Sequence, residues 1–401
     1  MRSFRSRVIS GSLLISGTTI GAGMLGIPLL TAGSGLYPAL FITLLVWLFM
    51  LATGLLVAEA TLWMPPGANI LTMTARLLGP YGRFIAGGLF LFLYYCLIIA
   101  YIAGGGPLIS LLASKLLPSW MPLGGGMSVG GYLLFTLLFG AIVWHGVRSI
   151  DRVNGVLVIG MALSYVGLLS LGFSLVDSSR FDFVDFPAAF TAAPVLFSAF
   201  GYHNIIPSLS NYLHRDKKAL RLSIFCGTFS ALIIYSLWQW LIIGAVPLSK
   251  IVAAKNAGLP ASFVLEGIVH NPWLDRCTTL FGFLAIVTSL LGVALSMVDF
   301  ITDGLPEVWK KHRLIPTVLT FLPPLAITIV DPTLFDKALG LAGGFGEAFL
   351  NGLLPVLLVW SGRYRLSQGG IPMLPFGKSS LIFLGLSALG VFFLELIALI
   401  Q

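Results

Sequence analysis

Charge is what this chain has least of. Asp, Glu, Lys and Arg make up 9% of its 401 residues while hydrophobic residues make up 57%, and the mean hydropathy is +0.99. A soluble domain carries roughly 25% charged residues on its surface, so a soluble fold is excluded and an all-α polytopic membrane protein is expected. Cysteine is nearly absent too. Cys96, Cys226 and Cys277 are odd in number and scattered through or beside apolar runs, which leaves no disulfide framework and no metal-ligand spacing. Catalytic constellations are also missing: there is no His-Glu-x-x-His, no Gly-x-Ser-x-Gly with partners and no phosphate-cradling loop. The five histidines at 145, 203, 214, 270 and 312 are dispersed. No metal or other cofactor is expected.

Long polar stretches are lacking as well. The longest extramembrane segment, 247–276, has room for a short amphipathic helix on the outer surface but not for an active-site domain. These absences point to transport rather than catalysis. A membrane-embedded lipid-modifying enzyme needs a polar cluster at one interface, and a channel needs a charged ring or a repeated pore motif; the sequence offers neither.

What the sequence does have is apolar runs of about 20 residues, long enough for a hydrocarbon core of roughly 30 Å. Eleven are read at 7–35, 36–63, 84–112, 127–147, 153–176, 190–212, 219–246, 277–302, 314–331, 334–360 and 380–400, called spans 1 to 11 below. Six basic residues, Lys115, Arg180, Lys250, Lys255, Arg276 and Lys337, fall on one side; the remaining 17 of 23 share the side of the N-terminus. The positive-inside rule makes that side cytoplasmic, with a bacterial inner membrane as the expected location. The net charge of +8 is thereby a matter of topology, and nucleic-acid binding is not expected. The basic head and apolar run of "MRSFRSRVISGSLLISG" imitate a signal peptide, but the run is too long, lacks a clean cleavage site and is followed by ten further spans.

Span 1 contains "SGTTIGAGMLGIP". Three glycines and two threonines there weaken a helix where irregular backbone is most costly. Close helix packing through the Gly17-to-Gly21 spacing accounts for part of this. Span 6 is interrupted comparably in "PVLFSAFGYHNIIPSLS", where Pro207 removes a backbone donor and disfavours helix at Ile206. Broken spans at positions 1 and 6 mark two five-helix halves, 1–176 and 190–360, with an additional helix at 380–401. An odd number of spans inverts the second half relative to the first, so the two breaks face each other at mid-membrane.

"GTTIGAGMLGIP", "FSAFGYHNIIPSL" and, in span 8, "TSLLGVALSMVDFITDGL" together resemble the hydroxy and aromatic amino acid permease family, and most of all its tyrosine/tryptophan-specific branch. The resemblance covers essentially the whole chain. It implies a leucine-transporter-like fold of 5+5 inverted repeats plus one helix, and proton-coupled import of an aromatic amino acid across the bilayer. Serine or threonine is the alternative substrate within the same fold.

A zwitterion needs donors for its carboxylate and acceptors for its ammonium. The amides of Gly21, Ala22 and Gly23, at a helix N-terminus, suit the carboxylate. Carbonyls near Gly17, Thr18 and Thr19 and from Ser198 to Gly201 suit the ammonium. Glycine permits close approach, and the break is expected to use positive φ. Tyr94, Tyr95, Phe200 and Tyr202 are candidate walls for a flat ring.

Coupling to an ion gradient requires a carrier. A carboxylate inside a membrane helix costs roughly 2.5–3.5 kcal/mol and marks function by default. Glu59 and Asp299 lie a turn from helix ends, which suits a structural or gating role, and Glu395 lies outside the repeats. Glu347, mid-span among small residues, is one proton-carrier candidate. His203, on the span 6 break, is the other; its plain alternative is a neutral ring bonded to a freed carbonyl. Thr288 and Ser289 resemble the hydroxyl pair that completes a sodium cage in sodium-coupled members of the fold, and hydroxyls bonded to their own helix are the alternative there.

Overall fold

The computed structural model describes residues 4–116, 129–265, 271–306, 313–369, 372–375 and 377–400, with the backbone alone for 113–116 and 147–154. Arg2, Lys310, Lys311, His270 and His312, and the side chains of Lys115, Arg148 and Arg152, lie outside the described residues. All the described secondary structure is helical. Seven helices are long and apolar enough to cross a membrane, and the bent pair Phe4–Thr19 and Ala22–Ser34 makes an eighth. Val129–His145 and Leu314–Val330 are shorter apolar helices, and span 6 is divided into pieces of seven residues or fewer.

The two expected interruptions are present. Span 1 bends by 50° between Thr19 and Ala22. Span 6 ends its first helix, Ala193–Ala199, and resumes at His203–Ile205 and Ile206–Tyr212. They also meet. A Cβ built on Gly23 falls 2.7 Å from the Ala199 Cα, so only a glycine lets these backbones touch.

Three sequence expectations are corrected here. Pro207 does not break the helix: it sits in the first turn of Ile206–Tyr212 and Ile206 itself is helical, at φ −57°. A proline costs no hydrogen bond in that position, where the missing N–H is an orphan anyway. The break lies at 200–202 instead. Positive φ is not used at either break; Gly21 is extended, at φ −168°, and glycine is required there for space. The segment after 247 does not merely lie on the surface. It forms Leu248–Asn256 and then the turn Ala261–Leu265, whose Ala261 and Leu265 are fully buried, because Gly282 in span 8 leaves room for Ser262.

Positive φ does matter at Gly35 and Gly79. Gly35, at φ 85°, turns span 1 into Leu36–Trp63, and a Cβ there meets the Phe183 carbonyl oxygen. The adjacent Ser34 carbonyl accepts from Asp185 N–H at 2.9 Å. Gly79 kinks Ile70–Leu116, so span 3 is preceded by a helical segment that hydropathy did not separate. Where span 9 turns into span 10, hydrogen bonds from Thr333 to the Asp331 side chain fix the turn. Span 10 contains a feature not foreseen: a twelve-residue π-helix, Ala342–Leu353, between Phe335–Leu341 and Leu354–Tyr364.

The end of the molecule rich in basic residues is tied by specific pairs. Arg7 reaches Asp216 at 3.3 Å. Arg215 donates to the Leu62 carbonyl at 2.7 Å. Glu59 accepts from Arg363 Nε and Nη2 at 2.6 and 2.7 Å and from the Met373 amide at 2.7 Å, the structural role expected of a carboxylate near a helix end.

The Gly23 contact yields a test. Gly23→Val forces the two breaks apart and is expected to destabilise the protein by about 1–3 kcal/mol, the usual cost of overpacking. Gly17→Ala meets nothing within 4 Å and should leave stability unchanged. Thermal unfolding of both variants in detergent compares them.

Candidate functional site

The two breaks line a central cavity of about 440 Å³, a volume typical of small-molecule sites. Gly17, Thr18, Thr19, Gly21, Ala22 and Gly23 contribute from span 1, Ser198 and Gly201 from span 6, Tyr94 from span 3, Thr288 and Ser289 from span 8, and Glu347 from span 10. All but four of the candidate residues named from the sequence therefore border one space.

Backbone polarity organises it. Thr19 and Ala199 are the last residues of Phe4–Thr19 and Ala193–Ala199, so two helix C-termini, with their partial negative charge, converge. The Tyr235 hydroxyl lies between them, donating to the Thr19 carbonyl at 2.6 Å and the Ala199 carbonyl at 2.8 Å. One proton shared by two acceptors makes this a three-centre bond. Tyr235 is fully buried, and Phe200 packs edge-on against its ring at 4.8 Å.

On the opposite side of the span 1 break the Ala22 amide donates to Ser289 Oγ at 2.9 Å. A Cβ on Gly21 meets that same oxygen at 2.1 Å, which explains the glycine. Ala22 is thus already partnered, contrary to its expected role as a free carboxylate donor. Thr288 donates to the Leu284 and Ala285 carbonyls of its own helix, the plain alternative foreseen for it, and it lines the cavity.

Glu347 stands at the centre of the π-helix, is 5% exposed, and accepts a hydrogen bond from Asn351 one turn on. Its Oε1 lies 2.6 Å from where a Gly201 Cβ would stand, so the carboxylate rests on the span 6 break. Among the described residues it is the one charged side chain lining the cavity.

Four expected residues lie elsewhere. His203 is fully buried behind the break; its Nε2 is 2.9 Å from Thr53 Oγ1 of span 2, and its Nδ1 has no partner. Tyr202 donates to the Met50 carbonyl at 3.0 Å, also towards span 2. Phe200 turns to Tyr235. Tyr95 donates to the Leu319 carbonyl on the far side of its helix. The cause is common to all. Consecutive residues at a break, or on a helix, project in different directions, so only some of them face one space.

The sequence reading missed Tyr101, Asn204, Ser208, Ser296 and Asn351 in the cavity wall. Two signals were available. Ser289, Gly292 and Ser296 recur at helical spacing as a small polar stripe in an apolar helix, and Asn351 follows Glu347 by four residues. Gly17, Thr18, Asn204, Ser208 and Gly292 are exposed, and their half-helices run towards the basic end, so the cavity opens there. At the other end Phe335 is fully buried and wedged against Gly104.

Paired interrupted helices around a central cavity define a multi-pass membrane protein of the leucine-transporter fold, and solved structures agree on that fold. The transporter MhsT in complex with L-phenylalanine aligns with a TM-score of 0.65 at 14% identity, covering 96% of this chain and 98% of that one. A manganese transporter from Eremococcus coleocola aligns with a TM-score of 0.63 at 17% identity, covering 99% and 87%. Residues 5–394 match the tryptophan/tyrosine permease family, and the chain belongs to that family. Tyrosine-specific transport system 1 of Haemophilus influenzae is 36% identical over 89% of both chains. Tryptophan-specific transport proteins of the same organism and of Pseudomonas aeruginosa are each 33% identical, over 90% and 92% of this chain and 89% and 91% of theirs. The chain is accordingly a permease and not an enzyme.

Tyr235→Phe removes the hydroxyl and leaves two buried carbonyls without their donor, a loss of about 1–3 kcal/mol. Its melting temperature in detergent should fall clearly below that of Tyr95→Phe, whose hydroxyl bonds one carbonyl at the periphery.

Proposed function

We propose that this permease imports an aromatic L-amino acid, tyrosine or tryptophan, with protons, by alternating access at the central cavity of a bacterial inner membrane, with its N-terminus cytoplasmic. The observation that carries the reading is the pair of facing breaks: convergent carbonyl ends at Thr19 and Ala199 for the ammonium, and the amides of Gly21 and Gly23 for the carboxylate. Helix termini supply the partial charges for both without a mobile ion. The halves 1–176 and 190–360 are the inverted repeats, and 380–401 is the added helix. The opening towards the basic end corresponds to an inward-facing state.

Aromatic substrate is favoured over serine or threonine by space. The cavity holds about 440 Å³, and Gly17 and Gly292 line it where an added Cβ meets nothing within 4 Å. Tyr94 and Phe90 offer ring faces. Proton coupling is assigned to Glu347, because its carboxylate lies against the span 6 break at Gly201 and lines the cavity. His203 is the second proton candidate; its bond to Thr53 ties it to span 2 instead of the cavity. A sodium ion held by Thr288 and Ser289 with span 1 carbonyls is the competing reading.

Uptake of labelled tyrosine, tryptophan and serine into proteoliposomes with imposed proton or sodium gradients tests substrate and ion together. The expected result is accumulation of an aromatic substrate driven by protons alone; serine accumulation or sodium drive contradicts it. Glu347→Gln should abolish proton-driven accumulation by at least about tenfold while retaining substrate exchange between equal pools, since general acid–base function is lost and the binding backbone is not.

A further inference from the structure

Two other cavities share a wall. The larger, about 740 Å³, is a trough between Leu36–Trp63, Ala193–Ala199 and Gly377–Ile400, lined by side chains such as Leu45, Phe49, Phe197, Leu384 and Leu394. The second, about 610 Å³, is bordered by Arg221, Arg363, Tyr364 and Gly377. Leu374 and Pro375 line both. An apolar trough on the membrane-facing side thus ends in a basic recess at the end where the basic residues gather.

The cations around the recess are not equivalent. Arg363 is neutralised by its two bonds to Glu59. Arg221 is exposed and has no carboxylate partner among the described residues. Lys378, the second residue of the last helix, holds its Nζ 5.1 Å above the Tyr364 ring and 6.0 Å from that of Trp360, again without a carboxylate. Two cations with no carboxylate partner among the described residues therefore stand by the recess beyond an acyl-compatible trough. That pairing of chemistries fits an amphiphile with an anionic phosphate diester and a hydrocarbon tail.

We propose that this is a binding site for one anionic phospholipid, its phosphate between Arg221 and Lys378 and one acyl chain along the trough. A bare phosphate leaves the trough unused, and a zwitterionic lipid brings its own ammonium against the two cations. The position has a consequence for transport. Phe197, 4.9 Å from Phe49 between ring centroids, lies two residues before the Ala199 carbonyl that Tyr235 holds, so the lipid tail touches the outer half of the broken span 6. The last helix, outside the proposed repeats, is then the wall that retains the lipid against a moving element.

Native mass spectrometry of the purified full-length protein tests this with an equimolar mixture of phosphatidylglycerol and phosphatidylcholine of identical acyl chains. Wild type should retain phosphatidylglycerol at least about fivefold over phosphatidylcholine, the preference that roughly 1 kcal/mol from a single basic residue already supplies. The Arg221→Ala, Lys378→Ala double variant should lose the preference. Gly390→Trp, which fills the trough at a position where an added Cβ meets nothing within 4 Å and leaves both cations in place, should lose the bound lipid. Excess inorganic phosphate should displace nothing. Equal retention of the two lipids by wild type marks ordinary boundary lipid and overturns the proposal, as do a preference that survives in the double variant and displacement by phosphate alone.

Discussion

The structure depends on one hydrogen bond donor placed between two helix ends that repel each other. The carbonyls of Thr19 and Ala199 close two half-helices whose C-terminal dipoles point into the same low-dielectric space. Left alone, they would part or draw in water. The buried Tyr235 hydroxyl satisfies both, and the contact at Gly23 lets the chains approach closely enough for it to do so. Ser289 performs the complementary service at the other side of the same break, accepting from the Ala22 amide. Irregular backbone at membrane depth is tolerable only with such partners.

From that joint the rest of the site follows. Gly201 admits the Glu347 carboxylate against the span 6 break, and Gly343 admits the Pro194 carbonyl one turn earlier in the π-helix. The π-helix widens span 10 where it faces both breaks; such bulges recur at functional sites because they re-aim side chains at small cost in hydrogen bonding. The ion pair of Glu59 with Arg363 fastens span 2 to the end of the same span 10. Span 10 therefore meets the span 6 break at its middle and the basic end at its terminus.

Hydropathy and glycine placement made the architecture legible before any coordinates. Long apolar runs in an almost uncharged chain have one solution, and the clustered glycines of span 1 and the irregular stretch around Gly201 in span 6 pointed to both breaks. Side-chain direction was not legible to the same degree. Tyr94 faces the cavity and Tyr95 does not, because adjacent helical positions point about 100° apart and the sequence gives no external reference for the angle. Pro207 misled because proline marks a helix start as readily as a break. Tyr235 was hidden for another reason: its role comes from contact with residues 36 and 216 positions distant, and no local pattern within Lys217–Ala245 announces it. Glu347 was legible as a lone mid-span carboxylate; its placement beside Gly201 was not.

The central claim is that backbone at the two breaks holds both ends of a zwitterion, the ammonium on the second lone pairs of carbonyls that Tyr235 already bonds. Calorimetric binding of tryptophan, tryptamine and indole-3-propionate to the purified protein measures it directly, because the analogues keep the ring and lack the carboxylate or the ammonium. The account predicts that each analogue binds at least about 100-fold more weakly than tryptophan, the loss of roughly 3 kcal/mol expected when a charged hydrogen-bonding group is deleted. Tryptamine or indole-3-propionate binding as tightly as tryptophan would contradict it, leaving the ring alone as the recognised feature.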